Sequence, residues 1–210
     1  VIRSENPAGT RGHMLATRRS IVDIRYALFK EMGRTSVTFL NSTTFNADGT
    51  LKNLGTNQIG RYPIHMHHLM GPTTPPANGY QFTLVGNAVD DSSKWGIAIH
   101  NSHYGLIKDN VVYNAIGSGI VTEDGSETAN LIEHNFVVRS EGSGDAIDHE
   151  QRNKGLVDNG HEGAGFWFRQ SNNYIRNNVA ANAGANYVVY PFMLQKQTVR
   201  YPLIPGADTT

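Results

Sequence analysis

The stretch Gly96-Ile97-Ala98-Ile99-His100-Asn101 decides the fold, because its pattern recurs along the chain. Each copy opens with Gly or Pro, alternates apolar residues with others, and ends in polar residues. The other copies are Pro63-Ile64-His65-Met66-His67-His68, Gly119-Ile120-Val121-Thr122-Glu123-Asp124 and Gly165-Phe166-Trp167-Phe168-Arg169-Gln170. The four copies start at 63, 96, 119 and 165, so they lie 33, 23 and 46 residues apart. The last offset is twice 23, which predicts one irregular rung between the third and fourth copies.

A second pattern, an apolar residue followed three positions later by Asn, recurs with nearly the same period. Its asparagines are Asn87, Asn110, Asn135 and Asn178. A period of about two dozen residues with short strands and no helix is typical of one rung of a parallel β-helix. Asn tolerates the left-handed backbone of a tight corner, and stacked Asn side chains can form a hydrogen-bonded ladder. We therefore predict an all-β, right-handed parallel β-helix (a solenoid) with inserted loops; the alternative is ordinary turn asparagines in an unrelated β-fold.

The composition limits the functions open to the chain. Its 210 residues include 18 Lys+Arg, 18 Asp+Glu and no Cys, so the net charge is zero. A nucleic-acid partner or a membrane surface bound through bulk positive charge is disfavoured, and no apolar run approaches the roughly 18 residues that span a bilayer. Disulfides and thiolate metal sites are excluded. We expect one β-helix domain over 1–204, a linker-like tail over 205–210, and flanking domains in a longer protein.

The repeat predicts two columns of outward side chains, because neighbouring positions on a strand face opposite sides. The first column is His65, Ala98, Val121 and Trp167, and the second is His67, His100, Glu123 and Arg169. Neighbouring rungs lie about 4.8 Å apart, so histidines on adjacent rungs can share a ligand.

Imidazoles beside a carboxylate can hold a divalent metal or act as acid and base near neutral pH. The predicted metal ligands, for Zn or Ca, are His65, His67, His100 and Glu123. The predicted catalytic residues are His67, His100, Glu123, Asp124 and Arg169. The alternative is a set of solvated histidines on an exposed sheet.

Four further residues are predicted to bind substrate, namely Trp167, Tyr62, Arg61 and His103. An exposed Trp beside an Arg suits sugar stacking and carboxylate pairing, although His103 can equally cap a turn. Glu123 and Asp124 can equally form a strand-ending turn, and adjacent strand positions usually point apart.

Irregular segments interrupt the repeat. Residues 12–16 and 21–29 are predicted to be strands of an earlier rung, and residues 34–60 an inserted hairpin or loop. Two further insertions are predicted at 71–79 and roughly 141–163. Long insertions in a regular solenoid are the usual place for a substrate cleft.

Four motifs carry a family resemblance: Thr10-Arg11-Gly12-His13, Asp23-Ile24-Arg25-Tyr26, Gly60-Arg61-Tyr62-Pro63-Ile64-His65-Met66-His67 and Glu123-Asp124-Gly125. Together they resemble the β-helix region of the cell-migration-inducing hyaluronan-binding protein family, whose relatives include a transmembrane hyaluronan-turnover protein, the fibrocystins and bacterial secreted proteins. The resemblance covers roughly residues 8–192, and the lack of Cys places the chain nearer the bacterial members. It implies a secreted or cell-surface β-helix and an acidic polysaccharide as partner. His65, His67 and Glu123 match the family motifs, whereas His100 and Arg169 come from the rung alignment.

Three functions stay open at this point. The first is degradation of an acidic glycan. A lyase would use His67 or His100 as base and Arg169 or a metal as charge stabiliser, while a hydrolase would use Glu123 and Asp124 as its two carboxylates. The second is a non-catalytic carbohydrate-binding module. The third is a structural β-helix segment of a large surface protein.

Overall fold

The computed structural model describes residues 1–71, 74, 76–145, 158, 160–169 and 172–184, and every regular element in these residues is a β-strand. In chain order the strands are β1 (Ile2–Arg3), β2 (Met14–Arg18), β3 (Val22–Arg25), β4 (Leu28–Lys30), β5 (Thr44–Phe45), β6 (Leu51–Asn53), β7 (Ile64–Leu69), β8 (Phe82–Val85), β9 (Ala88–Ser92), β10 (Trp95–His100), β11 (Gly105–Lys108), β12 (Val111–Ala115), β13 (Ser118–Thr122), β14 (Leu131–Glu133), β15 (Phe136–Ser140), β16 (Ala164–Phe168), β17 (Tyr174–Arg176) and β18 (Val179–Ala183).

Three parallel sheets are built from strands that recur in a fixed order. The first sheet is β16-β13-β10-β7-β2, the second is β17-β14-β11-β8-β3, and the third is β1-β4-β9-β12-β15-β18. The chain passes through the first, second and third sheets in turn, and each such rung lies on the preceding one. This arrangement confirms the all-β class and the stacked parallel strands that a β-helix requires.

The register of the first sheet agrees with the predicted rung alignment. Ile97 pairs with Ile64 on one side and with Ile120 on the other, and Ile120 pairs with Phe166. The predicted irregular rung is wrong, because β13 pairs directly with β16. The extra residues between these copies belong to the insertion between β15 and β16, of which 146–157 and 159 lie outside the described residues.

The core lies between the three sheets and is apolar. The inward residues of the repeat, Ile64, Met66, Ile97, Ile99, Ile120, Phe166 and Phe168, join one buried cluster with residues of the other two sheets. The glycine that opens the third copy of the repeat has a packing role. A Cβ on Gly119 would lie 2.4 Å from Cγ1 of Val137 and 2.6 Å from the Gly165 carbonyl oxygen. The third sheet therefore approaches this backbone too closely for a side chain.

A ladder of asparagines follows the second sheet. The Nδ2 groups of Asn87, Asn110 and Asn135 each donate to Oδ1 of the Asn on the next rung, at 3.1, 2.9 and 2.9 Å. The ladder is confirmed, but the left-handed residue is the one before each ladder Asn, for example Asp109 with φ 55°. A second stack joins Nδ2 of Asn130 to Oδ1 of Asn173 at 2.9 Å, and sequence analysis missed it.

The predicted insertions differ in how much of them is described. Residues 34–60 contain the antiparallel hairpin of β5 and β6 and an antiparallel bridge between Asn41 and Asn57, which confirms an inserted hairpin. The earlier rung is also confirmed as β2, β3 and β4. Residues 72, 73 and 75 of the 71–79 insertion, and everything from 185 onward including the predicted tail at 205–210, lie outside the described residues.

Candidate functional site

The first outward column is buried, contrary to the sequence-based expectation. His65, Ala98, Val121 and Trp167 are each at most 1% exposed. A second apolar cluster covers this side of the first sheet and comprises Tyr62, Trp95, Ala98, Val121, Ala164 and Trp167. The insertion before β16 helps to cover it, since Nε1 of Trp95 donates to the Gly160 carbonyl at 2.7 Å. The expectation of an exposed sugar-stacking surface at Trp167 and Tyr62 is therefore wrong.

Four histidines meet where β7 and β10 end, and we call His65, His67, His68 and His100 the imidazole cluster. The ring centroid of His67 lies 5.0 Å from that of His65 and 4.7 Å from that of His100. One ring nitrogen from each of these three residues lies within 4.8 Å of the other two. The predicted convergence of imidazoles from neighbouring rungs is thus present.

His65 presents a lone pair to this cluster. Its Nδ1 lies 3.0 Å from the carbonyl oxygen of Gly60, which only accepts hydrogen bonds, so Nδ1 carries the proton and Nε2 does not. Nε2 is buried without a hydrogen-bond partner and lies 4.0 Å from Oε2 of Glu123. Burial lowers the pKa of His65 to about 4, so the ring is neutral at pH 7.

His67 is also neutral at pH 7 but is more accessible. Burial and the neighbouring histidines, with His100 first among them, lower its pKa to about 4. The side chain is half-buried, so a ligand can reach it.

His100 carries the opposite charge state. Its Nδ1 lies 3.1 Å from Oε2 of Glu123 and its Nε2 lies 3.0 Å from Oδ2 of Asp124. Burial by itself would lower the pKa of His100, but the two carboxylates outweigh it and raise the pKa to about 10. Likewise burial would raise the pKa of Glu123, yet the charge of His100 holds it below its usual value. The result is an imidazolium held between two carboxylates.

The expectation that Glu123 and Asp124 point apart is wrong. Strand β13 ends at Thr122, so both residues lie in the following turn and reach the same ring. The buried carboxylate of Glu127 fixes this turn by accepting from the backbone N–H groups of Asn101, Asp124 and Gly125 at 2.8–2.9 Å. The repeat pattern does not predict Glu127, although its position three residues after Asp124 suits a carboxylate that accepts from the backbone of a turn.

Of the remaining predicted site residues, one lies beside the imidazole cluster and another is buried away from it. Arg169 lies beside the carboxylate pair, where its Nη1 donates to the backbone carbonyl of Glu123 at 3.2 Å. His103 is buried outside the cluster, and its Nδ1 accepts from the backbone N–H of Thr128 at 3.2 Å. The expected substrate contact at His103 is therefore wrong, and the turn-capping alternative describes its position.

A small cavity of about 190 Å³ opens onto the cluster. Its floor is formed by His65, His67, His100 and Glu123, and its walls by Leu15, Gln58, Ile59, Gly60 and Arg61. Arg61, predicted to bind substrate, thus stands at the wall of the cavity. Gln58 and Leu15 were not predicted, since nothing in the repeat pattern relates them to it.

The donor set of the cluster fits zinc better than calcium. Zinc binds imidazole nitrogen at roughly 2.0–2.1 Å in a tetrahedral arrangement, whereas calcium takes six to eight oxygen ligands. Three imidazoles and one carboxylate match the ligands of zinc and not those of calcium, although His100 must first lose one of its two ring protons. The buried lone pair on Nε2 of His65 is the observation that favours a cation here.

Comparison with known proteins identifies the family. The model of the CEMIP beta-helix family matches residues 36–202. Fibrocystin-L of Mus musculus is 32% identical over 124 residues, 59% of this chain and 2% of that protein. The Homo sapiens proteins named cell surface hyaluronidase CEMIP2 and cell migration-inducing and hyaluronan-binding protein are 34% and 35% identical over 87 and 89 residues, each 41% of this chain and 6% of the relative.

The chain thus spans only a few per cent of the length of these relatives. No solved structure matches it. Within the described residues no helix is long and apolar enough to cross a membrane. The family model covers most of the chain and names the architecture that the three parallel sheets show, so this protein belongs to the CEMIP beta-helix family.

Proposed function

We propose that this chain forms part of a protein that binds and cleaves an acidic polysaccharide of the hyaluronan kind at the imidazole cluster. The observation that carries the proposal is the imidazolium of His100, clamped between Glu123 and Asp124 next to the unpaired Nε2 of His65. A scaffold corner needs no such charges. Two relatives are named for hyaluronan, one as a hyaluronidase and one as a binding protein.

Elimination is the cleavage chemistry that the arrangement supports best. A lyase must remove the C5 proton of a uronic acid and stabilise the charge that develops on its carboxylate; the C4–O bond then breaks as the C4=C5 double bond forms, and the departing sugar oxygen takes up a proton. His67 is neutral and accessible, so it can accept that proton, and the positive charges of His100 and Arg61 face the same cavity. Hydrolysis would need Glu123 and Asp124 as free carboxylates, whereas both are engaged with His100.

A zinc ion would be an alternative occupant of the cluster, because a zinc-bound His67 has no lone pair left to accept a proton. His65, His67 and His100 would hold it, with Glu123 beside them, once His100 had released one of its two ring protons. The ion would supply Lewis-acid polarisation of the substrate. The orphaned Nε2 of His65 and the mutual distances of the three ring nitrogens support such a site. Elemental analysis of the purified protein and of the His65→Ala/His67→Ala double variant tests it. Zinc present in the parent and lost in the variant is expected, and zinc absent from both would contradict the site.

The activity is tested by incubating the protein with hyaluronan and following chain length and ultraviolet absorbance. A lyase yields unsaturated products that absorb, whereas a hydrolase shortens the chains without new absorbance. We expect His67→Ala to lower the rate by at least about 100-fold, because general-base catalysis contributes about 10²–10⁴-fold. Glu123→Gln should also lower the rate, because His100 then loses one of the carboxylates that keep it charged. His134→Asn is the matched control, since His134 is exposed on another corner and its left-handed backbone tolerates Asn. Unchanged rates in both cluster variants would contradict the assignment.

Binding without cleavage is the second candidate, favoured by the relative whose name describes hyaluronan binding. It predicts hyaluronan affinity with no shortening of the polymer in the parent or any variant. A chain that neither binds nor cleaves would favour the structural role.

Three further properties belong to the proposal. A secreted or cell-surface location is supported by the name of the CEMIP2 relative, a cell surface hyaluronidase. A right-handed path is supported by the general preference of parallel crossover connections. A bacterial origin stays a prediction from the lack of Cys.

A further inference from the structure

A larger cavity of about 480 Å³ adjoins the small cavity over the imidazole cluster. It lies between the amino-terminal segment and the inserted hairpin, and its lining includes Thr10, Arg34, Thr43, Thr56, Gln58 and Arg61. Gln58 and Arg61 line both cavities. One extended ligand can therefore occupy the two cavities at once.

The larger cavity has an uncompensated positive charge. Within the described part of the chain, neither Arg34 nor Arg61 has an ion pair with a carboxylate. Each donates from Nη1 to a backbone carbonyl at 3.4 Å, Arg34 to Arg11 and Arg61 to Ile59. A guanidinium has five N–H donors in a fork that matches a carboxylate. Most of that capacity stays available to a ligand.

Two neighbouring residues show that the unpaired positive charge is confined to Arg34 and Arg61. Arg11 also lies nearby, but Oδ2 of Asp91 neutralises it at 3.0 Å. The pKa of His13 is lowered first by burial and then by the charges of Arg34 and Arg61. Both guanidiniums therefore act on the same small region.

The remaining lining suits a sugar. It consists of threonine hydroxyls, the Gln58 amide and glycine backbone, without a large apolar side chain. Pockets for small ligands are usually about 300–1,000 Å³, so the larger cavity is of a size that holds a sugar unit. The hairpin that forms one wall is firmly held, because Nδ2 of the buried Asn57 donates to the carbonyls of Ser36 and Thr38 at 3.1 and 2.9 Å.

We propose that this larger cavity is an anion-binding subsite that holds the carboxylate or sulfate of one sugar unit through Arg34 and Arg61 while the next unit reaches the imidazole cluster. The subsite rests on the proposed function for its polymer, but its test measures binding rather than cleavage. It assigns Arg34, which lies outside every motif of the repeat, as a residue that selects charged glycans.

The test is calorimetric titration of the protein with hyaluronan oligosaccharides, with carboxyl-reduced hyaluronan and with chondroitin sulfate. Arg34→Gln is expected to weaken hyaluronan binding about 10-fold or more, because a charge-assisted hydrogen bond is about twice as strong as one between neutral groups. Arg34→Lys should recover part of this loss. Arg25→Gln is the matched control, since Arg25 is exposed and pairs with Asp23 at 2.7 Å.

The parent protein should lose at least this factor when the carboxylates are reduced, and Arg34→Gln should lose less, because only Arg61 is then left to bind them. If sulfated chains bind more tightly and depend equally on Arg34, the anion is a sulfate. Equal binding by Arg34→Gln and the parent would overturn the subsite, as would equal affinity for native and uncharged chains.

The same titration on Glu123→Gln separates the two proposals. Arg34-dependent binding in a protein that cleaves nothing would leave the subsite standing without the catalytic site. Cleavage that depends on Glu123 but not on Arg34 would support the catalytic site and contradict the subsite.

Discussion

Two corners of the same rung use polar side chains in opposite ways. The corner after the second sheet stacks one residue type, and each ladder Asn between Asn87 and Asn135 is bonded to its neighbours. The corner after the first sheet carries His67 on one rung and His100 on the next, followed by Glu123. Here Nε2 of His65 is left without a hydrogen-bond partner. A corner that repeats one residue type with every hydrogen bond made is typical of a structural role. A corner with varied residues and a buried atom that lacks a hydrogen bond is where a ligand is expected.

The two corners also differ in charge. Asn is neutral at every pH, so the ladder stabilises the fold without a protonation requirement. The other corner holds an imidazolium between two carboxylates, which costs desolvation energy that only mutual pairing offsets. The neutral ladder and the charged residues thus lie at separate corners of the same stack of rungs.

The largest effect is expected from breaking the ladder at its centre. Asn110→Ala removes the acceptor for the backbone N–H of Asn87 and the donor to the Leu84 carbonyl, both in a fully buried site. Each buried group left unpaired costs about 1–3 kcal/mol, so we expect a loss of about 4 kcal/mol in the free energy of unfolding. Chemical denaturation measures it. A loss below about 1 kcal/mol would show that the ladder does not hold the rungs together.

The pH dependence of stability is expected to come from the other corner and its surroundings. The buried ring of His103 has its pKa lowered by desolvation to about 4 in the folded protein, against 6.5 for an unperturbed histidine. Between these values the unfolded chain binds the extra proton, so stability is retained above pH 6.5 and falls as the pH drops toward 4.

The contribution of His103 is at most about 3 kcal/mol at one pKa unit per 1.36 kcal/mol. Denaturation of the parent and of His103→Gln at several pH values measures it, and the variant should lose less stability across this window. His134→Asn serves as the exposed control. Parallel pH profiles for parent and His103→Gln would contradict the assignment.

A smaller effect is expected at the turn that positions the carboxylates. Glu127→Gln replaces one acceptor oxygen with an N–H₂ group that faces a backbone donor, so we expect a loss of about 2 kcal/mol. Since Asp124 moves with the turn, hyaluronan cleavage should fall as well. Glu141→Gln is the control, because Glu141 is exposed and paired with Arg139 at the surface. Equal stability of the two variants would show that Glu127 does not hold the turn that carries Asp124.

The smallest effect is expected at the last described position of the ladder. Asn178 is half-buried, and its Nδ2 donates to the Ile132 carbonyl at 2.8 Å. The side chain of Asn178 is more accessible to water than that of the fully buried Asn110, so water can replace part of it and Asn178→Ala should cost about 1 kcal/mol. A cost equal to that of Asn110→Ala would mean that the contribution of a ladder Asn to stability does not depend on its burial.

The repeat could be predicted from the sequence because its information is local. Alternating apolar residues fix the strands and the recurring Asn fixes the corner, so the pairing of Ile64 with Ile97 followed from spacing alone. The direct pairing of β13 with β16 did not follow. An insertion and an additional irregular rung lengthen the sequence in the same way. Only the register of strand pairing distinguishes the two.

The sequence predicted which residues form the candidate site but not what surrounds them. His67 and His100 were placed together by rung alignment, but the covering of this side of the first sheet involves Gly160, which lies in an insertion 65 residues after its partner Trp95. No periodic pattern records where an irregular loop folds back. The same reason explains why Arg34 and Gln58 escaped notice, since each reaches its cavity from the inserted segment that carries the hairpin.

The unbroken register across the insertion before β16 has a consequence for how such proteins diversify. Because Ile120 still pairs with Phe166 after the detour, the length and composition of that excursion are decoupled from the alignment of the strands on either side. Selection can therefore exchange whole loops while the framework stays fixed. In the laboratory the same property invites loop grafting between relatives, with strand register as the quantity that should stay unchanged.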